Sequence, residues 1–400
     1  MHTSKKASGY PKLTGRPFVM CHAPNVQKSE CRRRRPSPGL TGLAVPHGTR
    51  SPSHPSFLYP LRMSKLRIGV LSTAKIGLTK VLPAMQLGQF TEISAIASRS
   101  LTQAQTAAAA LGIPRAYGSY EELLADPAID AIYNPLPNDM HVPWTLRAAQ
   151  AGKHVLCEKP IGLTAGEAET LLTAEKQYNV RIGEAFMVKV HPQWTRAQEL
   201  IQSGRIGTLR LVTGTFSYFN DDPRNIRNQA ALGGGALMDI GCYLVFAARQ
   251  LFGTATLPAE PSRVVTLLDR DPGSNVDRLT SFILDFPDGQ AIFSCSTQLV
   301  ANQRMQAFGT KGRLEIEIPF NAPPDRPTRL FIDDGGDLSG ASISTETFDI
   351  VDQYTLQGDA FAKAILDGTP LPVPLDQAIL NMKVIDALFR SAETNQWQTL

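Results

Sequence analysis

Ser72-Thr73-Ala74-Lys75-Ile76-Gly77 stands between a short apolar run, Leu66 to Leu71, and a helical pattern. A strand-to-helix turn of small residues lets backbone N–H groups and the positive end of a helix dipole approach a pyrophosphate. The spacing matches G-x-G-x-x-G, with Ser72 and Ala74 in the first two glycine places and Gly77 in the third. A turn that binds nothing is the alternative reading of these residues. The next apolar run ends in Ser98-Arg99-Ser100, where an NAD-binding chain would carry an Asp or Glu for the ribose. An acid there repels a 2′-phosphate, whereas Arg99 would pair with it and the flanking hydroxyls would donate to it. The pattern predicts a dinucleotide held at Ser72, Thr73, Ala74, Ile76, Gly77, Ser98 and Arg99, with NADP preferred and NAD possible. A surface Arg without a ligand is the bland alternative.

A doubly wound sheet would hold such residues at one edge. Leu66–Leu71, Thr91–Ser98, Ala131–Tyr133, His154–Cys157 and Val180–Glu184 read as short buried strands. Helical patterns at Leu78–Leu87, Leu101–Leu111, Pro143–Ala151 and Thr164–Tyr178 alternate with them. That alternation predicts a parallel sheet covered on both faces. Beyond about residue 190 the strands lengthen and alternate in twos: Leu209–Phe219, Arg263–Leu268, Leu279–Phe286 and Gln290–Gln298. Pro287-Asp288-Gly289 and Gly309-Thr310-Lys311-Gly312 read as hairpin turns. Helices at Leu237–Leu251, Tyr354–Leu366 and Leu375–Ala392 would flank this second sheet. The fold class is therefore α/β: an N-terminal Rossmann doubly wound parallel sheet, then an α+β domain with a large, mostly antiparallel open sheet. The expected division is a disordered basic leader over 1–62, an NAD(P)-binding domain over 63–187, and a substrate and oligomerisation domain over 188–400.

Charge separates the leader from the rest. Residues 1–62 carry eleven Lys and Arg against one acid, Glu30, a net +10; the whole chain is +4, so residues 63–400 carry −6. The leader is rich in Pro, Ser, Gly and Arg without apolar periodicity, which predicts disorder. A transit peptide, a basic arm and an upstream-start artefact before Met63 all fit it. The mildly acidic remainder does not suit nucleic acid. No run of ~18 uninterrupted apolar residues suggests a membrane span. Cys21, Cys31, Cys157, Cys242 and Cys295 form no C-x-x-C pair and suit a reducing, cytoplasmic compartment. His2, His22, His47 and His54 fall in the leader, and the other histidines form no H-x-x-x-H or Cys/His cluster, so no metal site is expected.

Three further segments fall where such an architecture places ligands. Asn134-Pro135-Leu136-Pro137-Asn138-Asp139-Met140-His141 follows the third strand and Cys157-Glu158-Lys159-Pro160 the fourth, both at the carboxyl edge. Gly233-Gly234-Gly235-Ala236-Leu237-Met238-Asp239-Ile240-Gly241-Cys242-Tyr243 opens a helix in the second half. Together with the first turn, these resemble the glucose–fructose oxidoreductase, inositol dehydrogenase and rhizopine-catabolism family, from about Lys65 onward. The chain looks most like the branch of dihydrodiol dehydrogenase, NADP-dependent D-xylose dehydrogenase and glucose–fructose oxidoreductase. In that branch a Tyr replaces the His that inositol dehydrogenases carry after the Asp.

The resemblance implies that Lys159 and Tyr243 form a catalytic pair. Removing hydride from a carbinol carbon also requires moving the hydroxyl proton. A free Tyr, with a pKa of ~10, is a poor base at neutral pH, and a nearby ammonium lowers it by ~1–3 units. Lys159 would supply that charge, held in one orientation by Pro160. Pro135, Leu136, Asn138, His141 and Glu158 are expected beside the cofactor, where Asn138 and His141 order a loop or merely form a turn. His191, Arg227 and Asp239 are expected on the substrate side. For His191 a structural role is the alternative, and for Asp239 a helix cap. Cys157 and Cys242 read as small core residues. The implied activity is hydride transfer between a nicotinamide and a CH–OH group of a sugar, cyclitol or dihydrodiol, in a homodimer or homotetramer joined through the open sheet. Two rivals remain: an NAD-dependent glycosidase of the same superfamily, and a sugar-sensing regulator without chemistry, against which the retained Lys159 and Tyr243 argue.

Overall fold

Short runs of β-branched and aliphatic residues that are buried on both sides form the first sheet. In the computed structural model, which describes residues 65–254 and 256–400, its strands are β1 (Leu66–Leu71), β2 (Thr91–Ala97), β3 (Arg115–Tyr117), β4 (Ala131–Asn134), β5 (His154–Cys157) and β6 (Ile182–Glu184). The expected leader lies outside the described residues. The strand order is β3-β2-β1-β4-β5-β6, and every pair is parallel. The direction of winding reverses between β1 and β4, so a crevice opens beyond their carboxyl ends.

The helices between these strands begin on side-chain caps. Ser100, Ser119 and Thr164 accept the N–H of Gln103, Glu122 and Glu167 and start α2 (Leu101–Leu111), α3 (Tyr120–Leu124) and α5 (Ala165–Gln177). The Glu167 carboxylate also reaches back to the Leu163 N–H at 2.8 Å. The first helix starts at Lys75, earlier than its apolar pattern suggests, and passes through a π-helical turn (Gly77–Val81) into α1 (Leu82–Gln86). Between β4 and β5 lies α4 (His141–Gln150). Strand β3 and helix α3 carry no periodicity long enough to betray them.

The second sheet has nine strands: β7 (Leu209–Phe219), β8 (Arg263–Arg270), β9 (Asp277–Phe286), β10 (Gly289–Ser296), β11 (Gln298–Gly309), β12 (Arg313–Ile316), β13 (Thr328–Asp333), β14 (Ser344–Phe348) and β15 (Gln398–Thr399). Their order is β14-β13-β12-β11-β7-β10-β9-β8-β15, antiparallel except where β7 meets β10. Alternation decides its faces. In β10, Ala291, Phe293 and Cys295 are buried, whereas Gln290 and Ile292 are exposed. On the buried side lie α6 (Pro192–Gln202), a π-helical turn (Leu237–Gly241) running into α7 (Cys242–Phe252), and α9 (Leu375–Thr394).

Helix α8 (Gln353–Leu366) departs from expectation. It does not simply flank the second sheet but returns to the first. Phe361, Ala362 and Ala364 enter the core of Ile68, Val70, Leu82 and Met85. The Asp359 carboxylate accepts the N–H groups of Gln89 and Phe90, each at 2.9 Å, and the Thr355 hydroxyl donates to the Ala84 carbonyl at 2.8 Å.

The segment Ala230–Phe252 is long and apolar enough by composition to cross a membrane, although Asp239, Arg249 and Gln250 interrupt its apolar run. Its most apolar window is 67% buried inside the protein, and it carries Asp239 and Arg249, both buried.

Candidate active site

The strand ends set the first wall of the site. After β1, Ser72 adopts φ +82°, the left-handed conformation a glycine would take without cost, and its hydroxyl accepts the Ala74 N–H at 3.1 Å. Gly77 is under no such demand: a Cβ there would meet Pro135 and Tyr133 only at 4.0 Å. After β2, the Ser98 hydroxyl faces the Gln103 side chain at 3.3 Å and the Ser100 hydroxyl caps α2. Each flanking hydroxyl thus has a protein partner, and the exposed Arg99 between them stands on the rim of a groove of about 690 Å³.

After β4, the buried Asn134 side chain bonds the His141 carbonyl, the Thr145 hydroxyl and the Leu136 N–H at 3.1, 3.2 and 3.3 Å. His141 is buried, with Nδ1 2.7 Å from the Pro160 carbonyl and Nε2 2.8 Å from the Leu136 carbonyl. Burial pushes its pKa down to about 4. It therefore ties the loop after β4 to the loop after β5. Asn138 extends the tie, donating to the Gly233 carbonyl at 2.9 Å.

The loop after β5 carries the charges. Glu158 accepts the Tyr133 hydroxyl at 2.8 Å, and burial raises its pKa. Lys159, which precedes a cis peptide bond to Pro160, directs Nζ to the Asp239 carbonyl at 2.5 Å and to Asp239 Oδ1 at 3.3 Å. Beneath this loop the Glu184 carboxylate accepts the Ile161 N–H at 2.8 Å, while Oε2 is buried without a partner among the described residues. Burial pushes the Glu184 pKa up to about 8.

The facing wall comes from the second half. Gly235, at φ +115°, passes so close to Asp277 that a Cβ would lie 2.0 Å from its carboxylate. Asp277 accepts the Leu237 N–H and the Thr280 hydroxyl, each at 2.7 Å, and so fixes the start of the π-helical turn. That turn presents the Asp239 carbonyl and carboxylate to Lys159. Asp239 Oδ2 accepts the Arg227 Nε at 2.9 Å and the Tyr218 hydroxyl at 2.5 Å. Burial opposes the Asp239 charge, but Lys159 and Arg227 outweigh it and hold the carboxyl well below its usual range. Burial likewise opposes the Lys159 ammonium, and Asp239 more than offsets it. Asp239 is thus not the helix cap: it lines the cleft with Oδ2 held by Arg227 and Tyr218 and Oδ1 by Lys159.

Tyr243 follows on α7. Its hydroxyl donates to Met187 Sδ at 3.3 Å, and its ring lies 5.0 Å from Lys159 Nζ. The ammonium faces the ring and not the oxygen, and burial raises the phenol pKa. The expected lowering by Lys159 is therefore reversed here. Lys159, Asp239, Arg227 and Tyr243 line one cleft of about 920 Å³ with Ser72, Pro135, Asn138 and Glu158. His191 is not among them. Pro192 opens α6, so the residue before it becomes the cap: the buried His191 accepts the Gln193 N–H at 3.3 Å, and burial pushes its pKa down to about 4.

Comparison with known proteins gives the family. Residues 66–186 match the oxidoreductase family with an NAD-binding Rossmann fold, and residues 194–315 match the Gfo/Idh/MocA C-terminal domain. The chain belongs to the Gfo/Idh/MocA family. An uncharacterized oxidoreductase of Rhizobium meliloti is 45% identical over 339 residues, covering 84% of this chain and 100% of that protein. A D-xylose 1-dehydrogenase (NADP⁺) of Haloferax volcanii is 39% identical over 332 residues, covering 82% and 98%. The crystal structure of an aldose-aldose oxidoreductase from Caulobacter crescentus superposes with a TM-score of 0.76 at 26% identity, covering 84% of this chain and 100% of that one. The chain is accordingly an NAD(P)-dependent oxidoreductase by family.

The residues present fit the family's dinucleotide. The Ser72 turn leads into a helix whose first residues, Lys75 and Ile76, line the cleft, and the groove beside Arg99 shares Ser72, Ala74, Leu136 and Pro137 with it. The family motifs do not mention several residues that shape the Gfo/Idh/MocA cleft here. Tyr218 and Phe216 sit two apart on β7 and so share a face, a signal the alternation did carry. Met187, Asp277 and Tyr354 reach the site by long-range packing, which no local pattern announces.

Proposed function

We propose that this protein is an NADP-dependent oxidoreductase acting on the CH–OH group of a sugar, cyclitol or dihydrodiol-type substrate. The observation that carries the reading is the meeting of Lys159 and Tyr243 from opposite halves in one cleft, continuous with the groove beside Arg99. Ser72, Thr73, Ala74, Ile76 and Gly77 would hold the pyrophosphate side, and Arg99 the 2′-phosphate. Bound there, the nicotinamide supplies the hydride acceptor or donor.

The side chains divide the remaining work. Tyr243, kept protonated by burial, hands its proton to a forming alkoxide when a carbonyl is reduced. In the opposite direction the phenol must give up its proton first, against the burial that raises its pKa. Asp239 keeps Lys159 charged and in place. Arg227 spends only Nε on Asp239; its two terminal nitrogens make no hydrogen bond among the described residues, and as a residue lining the cleft it would bind a substrate hydroxyl through them. Asn138 and His141 order the loop between the groove and the cleft, and Glu158 lines the cleft beside Tyr133. A homodimer or homotetramer would join through the open sheet face, where Ile292 pairs across the ladder with Ile283 and the neighbouring Leu267 is 77% exposed.

The test is a screen that follows the absorbance of the reduced nicotinamide, with NADP and NAD against aldoses, cyclitols and trans-dihydrodiols. Turnover of one class with NADP supports the reading. Release of a chromophore from a glycoside with no net change in nicotinamide would replace it.

A further inference from the structure

The groove beside Arg99 has a wall that the Rossmann half does not supply. Ile226 and Leu232 line it together with Ser98 and Arg99, and both also line the cleft that holds Tyr243. Both belong to the segment between β7 and the π-helical turn, and this segment is a built object. The Asn228 side chain donates to the Asn220 and Asp222 carbonyls at 3.1 and 2.9 Å, and the Gly235 N–H donates to the Arg227 carbonyl at 2.8 Å. Asn138 anchors its far end through the Gly233 carbonyl. Within it, Ile226–Asn228 forms a single 3-10 turn, in which successive side chains diverge by roughly a third of a circle. Arg227 therefore turns to Asp239 and the cleft, while its neighbour Ile226 lines both the cleft and the groove, 39% exposed.

We infer that Ile226 and Leu232 are cofactor-binding residues that close over the adenosine half of the dinucleotide, so that both halves of the chain hold it. The inference rests on the nucleotide reading above. Pro137 and the buried Leu136 add apolar lining to the same groove, so a flat adenosine bound there would bury Ile226 and Leu232 on their free sides. The Asn225 and Asn228 side chains hydrogen-bond within the segment and Arg227 turns to Asp239, which leaves Ile226 and Leu232 to offer shape and apolar contact to the groove.

The test uses two probes of the adenosine half, adenosine 2′,5′-bisphosphate and adenosine 5′-diphosphate, titrated calorimetrically into the full chain. Ile226→Ser should weaken both probes by roughly fivefold to tenfold and leave their ratio unchanged. Leu232→Ala should act in the same direction. Arg224→Ala, on the same segment but with its guanidinium paired only with Asp222, should bind both probes as the unaltered protein does. Unchanged affinity for both probes in a folded Ile226→Ser protein overturns the wall. A probe ratio near one in the unaltered protein overturns the NADP preference instead, and the wall stands if Ile226→Ser still weakens both. No binding of either probe to the unaltered protein would overturn both together.

Discussion

The groove beside Arg99 and the corner beside Tyr243 share lining residues but are made of different materials. The groove is open, and its polar lining comes from short hydroxyls, Gln103, Tyr120, Asp139 and the exposed Arg99. The corner is buried, and Lys159, Asp239, Arg227 and Tyr218 there fix one another's charge and direction. Loss of one partner in the groove leaves water to replace it. Loss of one partner in the corner leaves a charge without a counterion in low dielectric. The lesson is that substitutions in the groove should change which ligand binds, whereas those in the corner should change whether chemistry occurs.

The largest expected effect breaks the corner at its proton. Tyr243→Phe should lower kcat by ~10²–10⁴ while titration of NADPH fluorescence gives unchanged affinity; a near-normal rate would place the proton elsewhere. Asp239→Asn should cost about a hundredfold in kcat/KM and add an alkaline limb. Without Asp239, burial lowers the Lys159 pKa, so activity falls as pH rises through that lowered value, whereas the unaltered enzyme stays flat there. Parallel pH–rate profiles in the two proteins would refute this coupling. In the groove, Arg99→Ala should reduce the ratio of NADP to NAD efficiency by roughly tenfold to a hundredfold, with kcat little changed, and a constant ratio would remove Arg99 from cofactor choice.

The smallest effect concerns the floor of the corner. Glu184 has a folded pKa of about 8 against an ordinary value near ~4.3. Between these values the folded state keeps a proton that the unfolded state has lost. Its contribution is thus complete at acid pH and lost as pH rises toward 8. The melting temperature should fall by several degrees across that window, and Glu184→Gln should flatten much of the decline. An identical decline in both proteins would show the proton is held elsewhere.

The groove was the more legible region in the sequence. Ser72 to Gly77 and Ser98 to Ser100 stand at strand ends, and a local pattern is enough to say what they face. The parallel strands were legible for the same reason, because burial on both faces leaves an unbroken apolar run. The corner was legible only in its ends, Lys159 and Tyr243. Their mutual geometry depends on a π-helical turn fixed by Asp277, and on Met187 beneath the phenol, contacts that cross from one half of the chain to the other. His191 misled because the sequence shows a histidine near a site without showing that its ring accepts the backbone N–H of α6. Helix α8 was legible as a helix, but its amphipathic face does not name the surface it covers.

The path of α8 has a consequence for how this protein can be cut. The nucleotide-binding half is not a portable module, because the helix that seals its outer layer is encoded beyond β14, near the far end of the chain. A gene fragment stopping after β6 would leave Ile68, Leu82 and Met85 facing water where Phe361 should sit, and would be expected to aggregate when expressed alone.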